Sequence, residues 1–261
     1  MELPIYWVDA FTDRVFGGNP AAVVPLESWL DDTLLQRIAN ENGLSETAYF
    51  VRTGAARAEL RWFTPAVEVD LCGHATLATA HVLFNELGQA AQPYVFDTKS
   101  GPLSVSRRDG RFELDFPSRP AAPAEPPAEL LRGLGLRPLE VRRSERMWLC
   151  VYASAADVLG ISPDFSELAR LVPGRIIPTA PGGDCDFVSR FFAPDAGVPE
   201  DPVTGSAHST LVPYWAARLG KTELHARQVS RRGGELWCEL RGDRVSMAGA
   251  TVGYLKGSIR V

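Results

Sequence analysis

Two stretches decide the reading of this chain, FTPAVEVDLCGHATLATAHVLFNELG (63–88) and FFAPDAGVPEDPVTGSAHSTLVPYWAARLG (191–220). Both run from an aromatic residue and a proline, through an acidic loop, to a glycine that opens an apolar run. Both runs close on a second glycine 15 residues later, Gly73 to Gly88 and Gly205 to Gly220. Matched spacing of this kind, at a separation of about 130 residues, marks an internal repeat. Each run reads as a helix, near 74–86 and 206–219. No Asp, Glu, Lys or Arg lies between Leu71 and Asn85 or between Val203 and Ala217. A helix with no polar face has to be buried all round, and these two are too short to span a bilayer. The simplest cover is a curved sheet wrapped about each helix. Pro213 is expected to kink or shorten the second one.

The flanks repeat as well. SGPLSVSRRDGRFELDFPS (100–118) and GGELWCELRGDRVSMAGAT (233–251) each read as a glycine turn, an alternating strand, a turn and another strand. Between the halves, RPAAPAEPPAELLRGLGLRP (119–138) holds five prolines in 20 residues and has linker composition. The expected fold is α+β, in two pseudo-repeated halves covering 1–119 and 120–261, with the last strand free to pack on the N-terminal half. The best-signalled surface helix is 29–41, with Ser28 as its N-cap, Asp31 and Asp32 in the first turn, and Gly43 past its end. Further strands are expected near 4–10, 20–25, 47–52, 58–63, 94–97, 148–153, 186–192, 228–230 and 255–260, and helices near 154–159 and 164–171.

The chain has 261 residues, with 27 Lys and Arg against 32 Asp and Glu, and its basic residues are scattered. A net charge of −5 without a basic block argues against nucleic acid and anionic membrane as partners. No apolar stretch reaches 18 residues, and the opening MELPIYWVDAF has neither a basic region nor a continuous apolar core, so a cytoplasmic protein is expected. Cys72, Cys150, Cys185 and Cys238 are far apart and read as free thiols. No phosphate-binding loop, dinucleotide fingerprint or serine-hydrolase elbow occurs.

Candidate chemistry gathers at the two helix starts, Cys72-Gly73-His74-Ala75 and Thr204-Gly205-Ser206-Ala207. Free N–H groups at a helix start attract an anion, and glycine lets the backbone come close to one. Two such starts facing one cleft would bind a carboxylate. Three polar side chains accompany them: His74 in the first turn, Asp201 in EDPVTGS, and Glu46 in GLSETAYFV at the head of a strand. Taken singly, Glu46 also reads as a solvated loop carboxylate, His74 as a helix-start residue and Asp201 as a turn or capping residue. Together they suggest acid–base chemistry. A metal site built from Cys72, His74, Asp201 and His208 lacks the usual ligand spacing. His81 and His208, inside the apolar helices, read as core histidines with backbone or hydroxyl partners.

The segments DAFTDRVFGGNPAAVV (9–24), LSETAYFV (44–51), FTPAVEVDLCGHATLATA (63–80) and EDPVTGSAHSTL (200–211) closely resemble the PhzF-like phenazine-biosynthesis family of the diaminopimelate-epimerase superfamily. The resemblance runs over essentially the whole chain. It implies two barrel-like mixed β-sheets, each around a central α-helix, with the active site in the cleft between them. It also implies a homodimer and cofactor-free, metal-free isomerisation of a small carboxylate, as with dihydro-hydroxyanthranilate. In that family a glutamate moves the proton, and Glu46 matches it. His74 and Asp201 would bind or protonate the substrate's polar groups, while amides around Gly73, His74, Gly205 and Ser206 would hold its carboxylate. The turn at Gly17, Gly18, Asn19 and Pro20 matches a loop expected to close over the cleft. Diaminopimelate epimerases use a thiol at each helix start; here the first position is Cys72 and the second falls on Thr204, which argues against an epimerase or racemase and leaves Cys72 a bystander. A small-carboxylate binding or regulatory protein on the same fold is the alternative from another class.

Overall fold

The computed structural model describes residues 1–172 and 174–261. The chain divides into two compact units, Met1–Asp115 together with Ala248–Val261, and Phe116–Met247. The fold is α+β, and each unit is a mixed sheet around one buried helix.

In the first unit β1 (Glu2–Ala10), β2 (Asn19–Leu26), α1 (Asp32–Asn42), β3 (Glu46–Gly54), β4 (Arg57–Phe63) and the short β5 (Glu68–Val69) lead into α2 (Gly73–His81), followed by β6 (Tyr94–Thr98), β7 (Gly101–Arg108) and β8 (Arg111–Pro117). β1 pairs antiparallel with β2, β2 runs parallel to β3, β3 is antiparallel to β4, β4 is parallel to β6, and β6 is antiparallel to β7. The C-terminal strand Thr251–Arg260 completes this unit on the free side of β1.

Every residue of α2 is buried, against β1, β2, β3 and the C-terminal strand. Two features of its sequence permit that. Ala75, Ala78 and Ala80 are small enough for strands to approach, and the hydroxyls of Thr76 and Thr79 donate back to the Cys72 and Ala75 carbonyls at 2.6 and 2.8 Å, so their polarity is satisfied inside the helix. Past His81 the helix widens into a π turn, Val82–Glu86, and the Leu87 N–H reaches the Val82 carbonyl at 3.0 Å. The opposite face of the sheet is covered by α1, whose Leu35 and Ile38 pack on Ile5, Ala22, Val24 and Tyr49.

In the second unit come β9 (Ala122–Pro123), α3 (Ala128–Leu134), β10 (Glu140–Arg143), β11 (Met147–Val151), α4 (Ala155–Gly160), α5 (Phe165–Leu168), β12 (Arg175–Pro181) and β13 (Phe187–Ser189). The small strands β14 (Phe192–Ala193) and β15 (Val198–Glu200) precede α6 (Gly205–Leu219), and β16 (Glu223–Gln228), β17 (Gly234–Arg241) and β18 (Arg244–Gly249) close the series. The ladders repeat the first unit in order and sign: β10–β11 antiparallel, β11–β12 parallel, β12–β13 antiparallel, β13–β16 parallel, β16–β17 antiparallel. α6 makes the crossover from β13 to β16 as α2 makes that from β4 to β6.

Four expectations change. First, α1 is capped by Asp31 and not by Ser28, because the Asp31 carboxylate accepts the Thr33 N–H at 2.9 Å and the helix starts only at Asp32. Second, the proline-rich segment 119–138 is not all linker. Leu130 and Leu134 are buried, Pro127 supplies the extended residue before α3, and Gly135 ends it. Third, the strand expected at 228–230 ends at Gln228 and begins at Glu223, and β10 and β12 were not anticipated. Fourth, Pro213 lies within an unbroken α6. A proline leaves the carbonyl four residues earlier without its helical donor. Here that carbonyl is on Ser209, and it accepts the backbone N–H of Arg119 at 2.8 Å. The segment thought to be linker thus repairs the helix.

Candidate active site

Glu46 is the first residue of β3, and three constraints place it. Gly43 stops α1 in the left-handed conformation, the Asn42 amide donates to the Thr47 hydroxyl at 3.0 Å, and Glu46 sits opposite Ala21 in the parallel ladder with β2. That register puts Glu46 at the same end of the sheet as Asn19, the first residue of β2. The start of α2 arrives at this end too. His74 Nε2 lies 3.0 Å from Glu46 Oε2. Asn19 Nδ2 lies 3.2 Å from His74 Nδ1, and the Ser45 hydroxyl donates to Asn19 Oδ1 at 3.2 Å. Cys72 Sγ is 3.5 Å from the same Nδ1.

His74 is buried and Glu46 nearly so. Although Nε2 and Oε2 are close, the contact falls short of hydrogen-bond alignment, and neither atom has a hydrogen-bond partner among the described residues. Buried polar atoms left in this state are costly and uncommon. Burial by itself favours the neutral imidazole, but the charge on the neighbouring Glu46 carboxylate favours the protonated ring, and the balance holds the His74 pKa above the usual histidine range. Burial, reinforced by the charge on Glu46, pushes the Cys72 thiol up to about 11, so it is a thiol and not a thiolate at neutral pH.

The second unit holds the other expected residues. Asp201 follows β15, its N–H bonded to the Phe191 carbonyl at 3.0 Å, and its Oδ2 accepts the Thr204 hydroxyl. Gln228, buried at the end of β16, grips the same loop: its Oε1 accepts the Thr204 N–H at 2.8 Å and its Nε2 donates to the Asp201 carbonyl at 2.8 Å. The Ser230 hydroxyl holds the Pro202 carbonyl at 2.7 Å. Gly205 and Ser206 are the first two residues of α6, as Gly73 and His74 are of α2. Cys72 and Thr204 are therefore equivalent N-cap residues, both in extended conformation, and neither helix start carries a side-chain cap.

The structure thus brings Glu46, His74 and Gly73 together in one unit, and Asp201, Gly205 and Ser206 together in the other. Asn19, Ser45, Cys72 and Gln228 complete these groups and were not expected to do so. Asn19 read as a loop residue, and nothing in its neighbourhood signals a partner 55 residues away. His208 and His81 are core histidines. His208 Nδ1 donates to the Thr204 carbonyl at 2.9 Å, and burial lowers its pKa to about 4; His81 Nδ1 meets the Thr251 hydroxyl at 2.8 Å. Among the described residues, Glu46, Cys72 and His74 form a cluster with donor atoms within 4.8 Å of one another. It fits a metal poorly: Cys72 faces Nδ1 and Glu46 faces Nε2, opposite edges of one ring that cannot both ligate a single ion.

Comparison with known proteins follows this geometry. Residues 8–257 match the model of the phenazine biosynthesis-like protein family. The chain belongs to that family. An "Uncharacterized isomerase" of Pseudomonas aeruginosa is 52% identical over 261 residues, covering all of both chains. The crystal structure of a PhzF-family phenazine biosynthesis protein from Enterococcus faecalis superposes with a TM-score of 0.96 at 46% identity, again over all of both chains. The PhzF-like fold extends to more distant proteins. A hydroxyproline epimerase from Agrobacterium vitis, at 11% identity and a TM-score of 0.63, covers 99% of this chain and 92% of its own, a likeness of fold alone. Among the described residues no helix is long and apolar enough to cross a membrane.

Proposed function

We propose that this PhzF-like protein is an isomerase that moves a proton between carbons of a small carboxylate, with Glu46 as the base and no cofactor in the step. The observation that carries the reading is the pair Glu46 Oε2 and His74 Nε2, buried, 3.0 Å apart and without hydrogen-bond partners among the described residues. A bound substrate would satisfy both atoms at once.

A carbon acid is far weaker than a carboxylic acid, and each pKa unit of mismatch raises the barrier by about 1.4 kcal/mol, so a carboxylate cannot do this work alone. Charge left on the substrate has to be met as it forms. His74 is suited to donate through Nε2, and Asp201, on a loop held by Gln228 and Ser230, is suited to bind or protonate a second polar group. The uncapped starts at Gly73 and at Gly205 and Ser206 supply amides for the substrate carboxylate. In this reading both groups serve one substrate. A single base that takes and returns the proton gives isomerisation on one face, whereas inversion calls for a base on each side. Thr204 at the position equivalent to Cys72 speaks against a two-thiol epimerase. The relatives' isomerase names support the class. The homodimer and the cytoplasmic location are carried by the resemblance alone.

The test is turnover of dihydro-hydroxyanthranilate and a panel of small unsaturated or cyclic acids by wild type and Glu46→Gln. The variant should bind as wild type does and isomerise at least ~10²-fold more slowly, the scale of a lost general base. Equal rates would overturn the assignment. Saturable binding with no proton movement in either protein would favour the binding-protein alternative.

A further inference from the structure

We infer that Asn19, oriented by Ser45, is a positioning residue that selects the tautomer of His74, so that the ring's last proton sits on Nε2, facing Glu46. The inference deepens the proposed function and rests on it only for the use made of His74.

A carboxamide offers one face that donates and one that accepts. The Ser45 hydroxyl donates to Asn19 Oδ1 at 3.2 Å, and the NH2 group meets His74 Nδ1 at 3.2 Å. With the amide in this orientation, the singly protonated ring meets it with Nδ1 as the acceptor. The other edge of the ring agrees, because a lone pair on Nε2 would lie 3.0 Å from a carboxylate oxygen, whereas an N–H there is attracted to it. Cys72, protonated at neutral pH, is the other group at Nδ1 and presents a weak donor. Among the described residues, Glu46, Cys72 and Asn19 are the polar groups that meet the ring, with Ser45 behind Asn19.

The chain before Asn19 is built to hold it in place. Asn19 is fully buried and enters the β1–β2 ladder opposite Ala10. Phe11, also fully buried, has φ of +63° with its ring so close to Gly249 that a Cβ there would stand 2.4 Å from Cδ1. Phe16 has φ of +70°, with its N–H held by Asp9 Oδ2 at 2.9 Å. Gly18 has φ of +61°, and a Cβ on it would sit 2.1 Å from the Ala10 carbonyl oxygen. Two non-glycine residues in the left-handed region within six positions indicate a loop conformation that its surroundings over-determine. Its last residue is the asparagine that touches the ring. The consequence for chemistry is directional: a singly protonated His74 donates from the edge next to Glu46 and never from the edge next to Cys72.

Nitrogen-15 NMR of histidine-labelled protein, without substrate, tests this directly. Titrated upward in pH until the His74 ring holds one proton, wild type should show Nδ1 as the pyridine-type nitrogen and Nε2 as the pyrrole-type nitrogen. Asn19→Asp replaces the donor at Nδ1 by an acceptor and should move the remaining proton to Nδ1. Ser45→Ala keeps Asn19 but removes the hydroxyl at its Oδ1, and should raise the share of the Nδ1-protonated tautomer; this variant carries the test if Asn19→Asp fails to fold. A wild-type ring protonated at Nδ1, or variants with the wild-type pattern, would overturn the inference. Because no substrate is present, that outcome leaves the role of Glu46 standing, and loss of the Glu46 role in turnover would leave the tautomer assignment standing.

Discussion

At the scale of single residues, burial and the nearest partner together decide how a titratable group shifts. His208 and His74 both sit in the first turns of buried helices, yet burial drives only His208 to a pKa of about 4, because the Thr204 carbonyl is its partner where His74 has a carboxylate. The sign for stability follows. Between pH 6.5 and 4 the unfolded chain protonates this ring and the folded chain does not, so stability is kept above 6.5 and lost as pH falls toward 4. A shift of this size is worth about 3 kcal/mol. Urea denaturation at pH 7 and pH 4.5 should therefore show a larger loss for wild type than for His208→Gln. Equal losses would mean that His208 is not held neutral. Cys72 gives a second check: with its thiol pushed up to about 11 and buried, it should resist iodoacetamide at pH 7 in the folded protein and react once unfolded. Rapid modification of the native protein would contradict this.

At the scale of elements, the corrections to the sequence reading are themselves testable. If Asp31 caps α1, Asp31→Ala should cost about 1 kcal/mol and Ser28→Ala a few tenths at most; the reverse order would restore the cap to Ser28. If the Arg119 N–H replaces the donor that Pro213 lacks, Pro213→Ala should change stability by less than about 1 kcal/mol. A gain near the ~3 kcal/mol typical of removing an interior proline would show that the Ser209–Arg119 bond does not compensate. These elements also show why legibility is uneven. The buried helices were readable because their glycine spacing and lack of charge are local properties of 63–88 and 191–220. The cap of α1 was misplaced because Ser28 and Asp31 are both good caps, and the choice falls to the position of Trp29, whose indole donates to Glu59 on the neighbouring strand β4. Helix α3 was hidden because its prolines stand before it, at 126 and 127, where they delimit a helix without breaking it.

At the scale of the whole molecule, the repeat of ladders from β1 to β7 in β10 to β17 gives two helices equivalent starts with different residues: Cys72 and Thr204 as caps, His74 and Ser206 one place on. The equivalent starts differ in their neighbours: Glu46 stands beside His74 at one, and Asp201 accepts from Thr204 at the other. The candidate residues were legible because each belongs to a short motif. Asn19 and Gln228 were not, since each acts on a partner brought near only by folding. If Glu46 and Asp201 serve one turnover, the double variant Glu46→Gln, Asp201→Asn should be little slower than the slower single variant, because residues acting in one step are strongly non-additive. Multiplying losses would mean that they act independently.

The central claim is that Glu46 carries a proton to and from carbon. It is met most directly by proton NMR in D₂O, following deuterium uptake into dihydro-hydroxyanthranilate and related small acids with wild type and Glu46→Gln side by side. The account predicts incorporation or isomerisation with wild type and at least ~10²-fold slower exchange with the variant. Exchange at the wild-type rate in Glu46→Gln would contradict it.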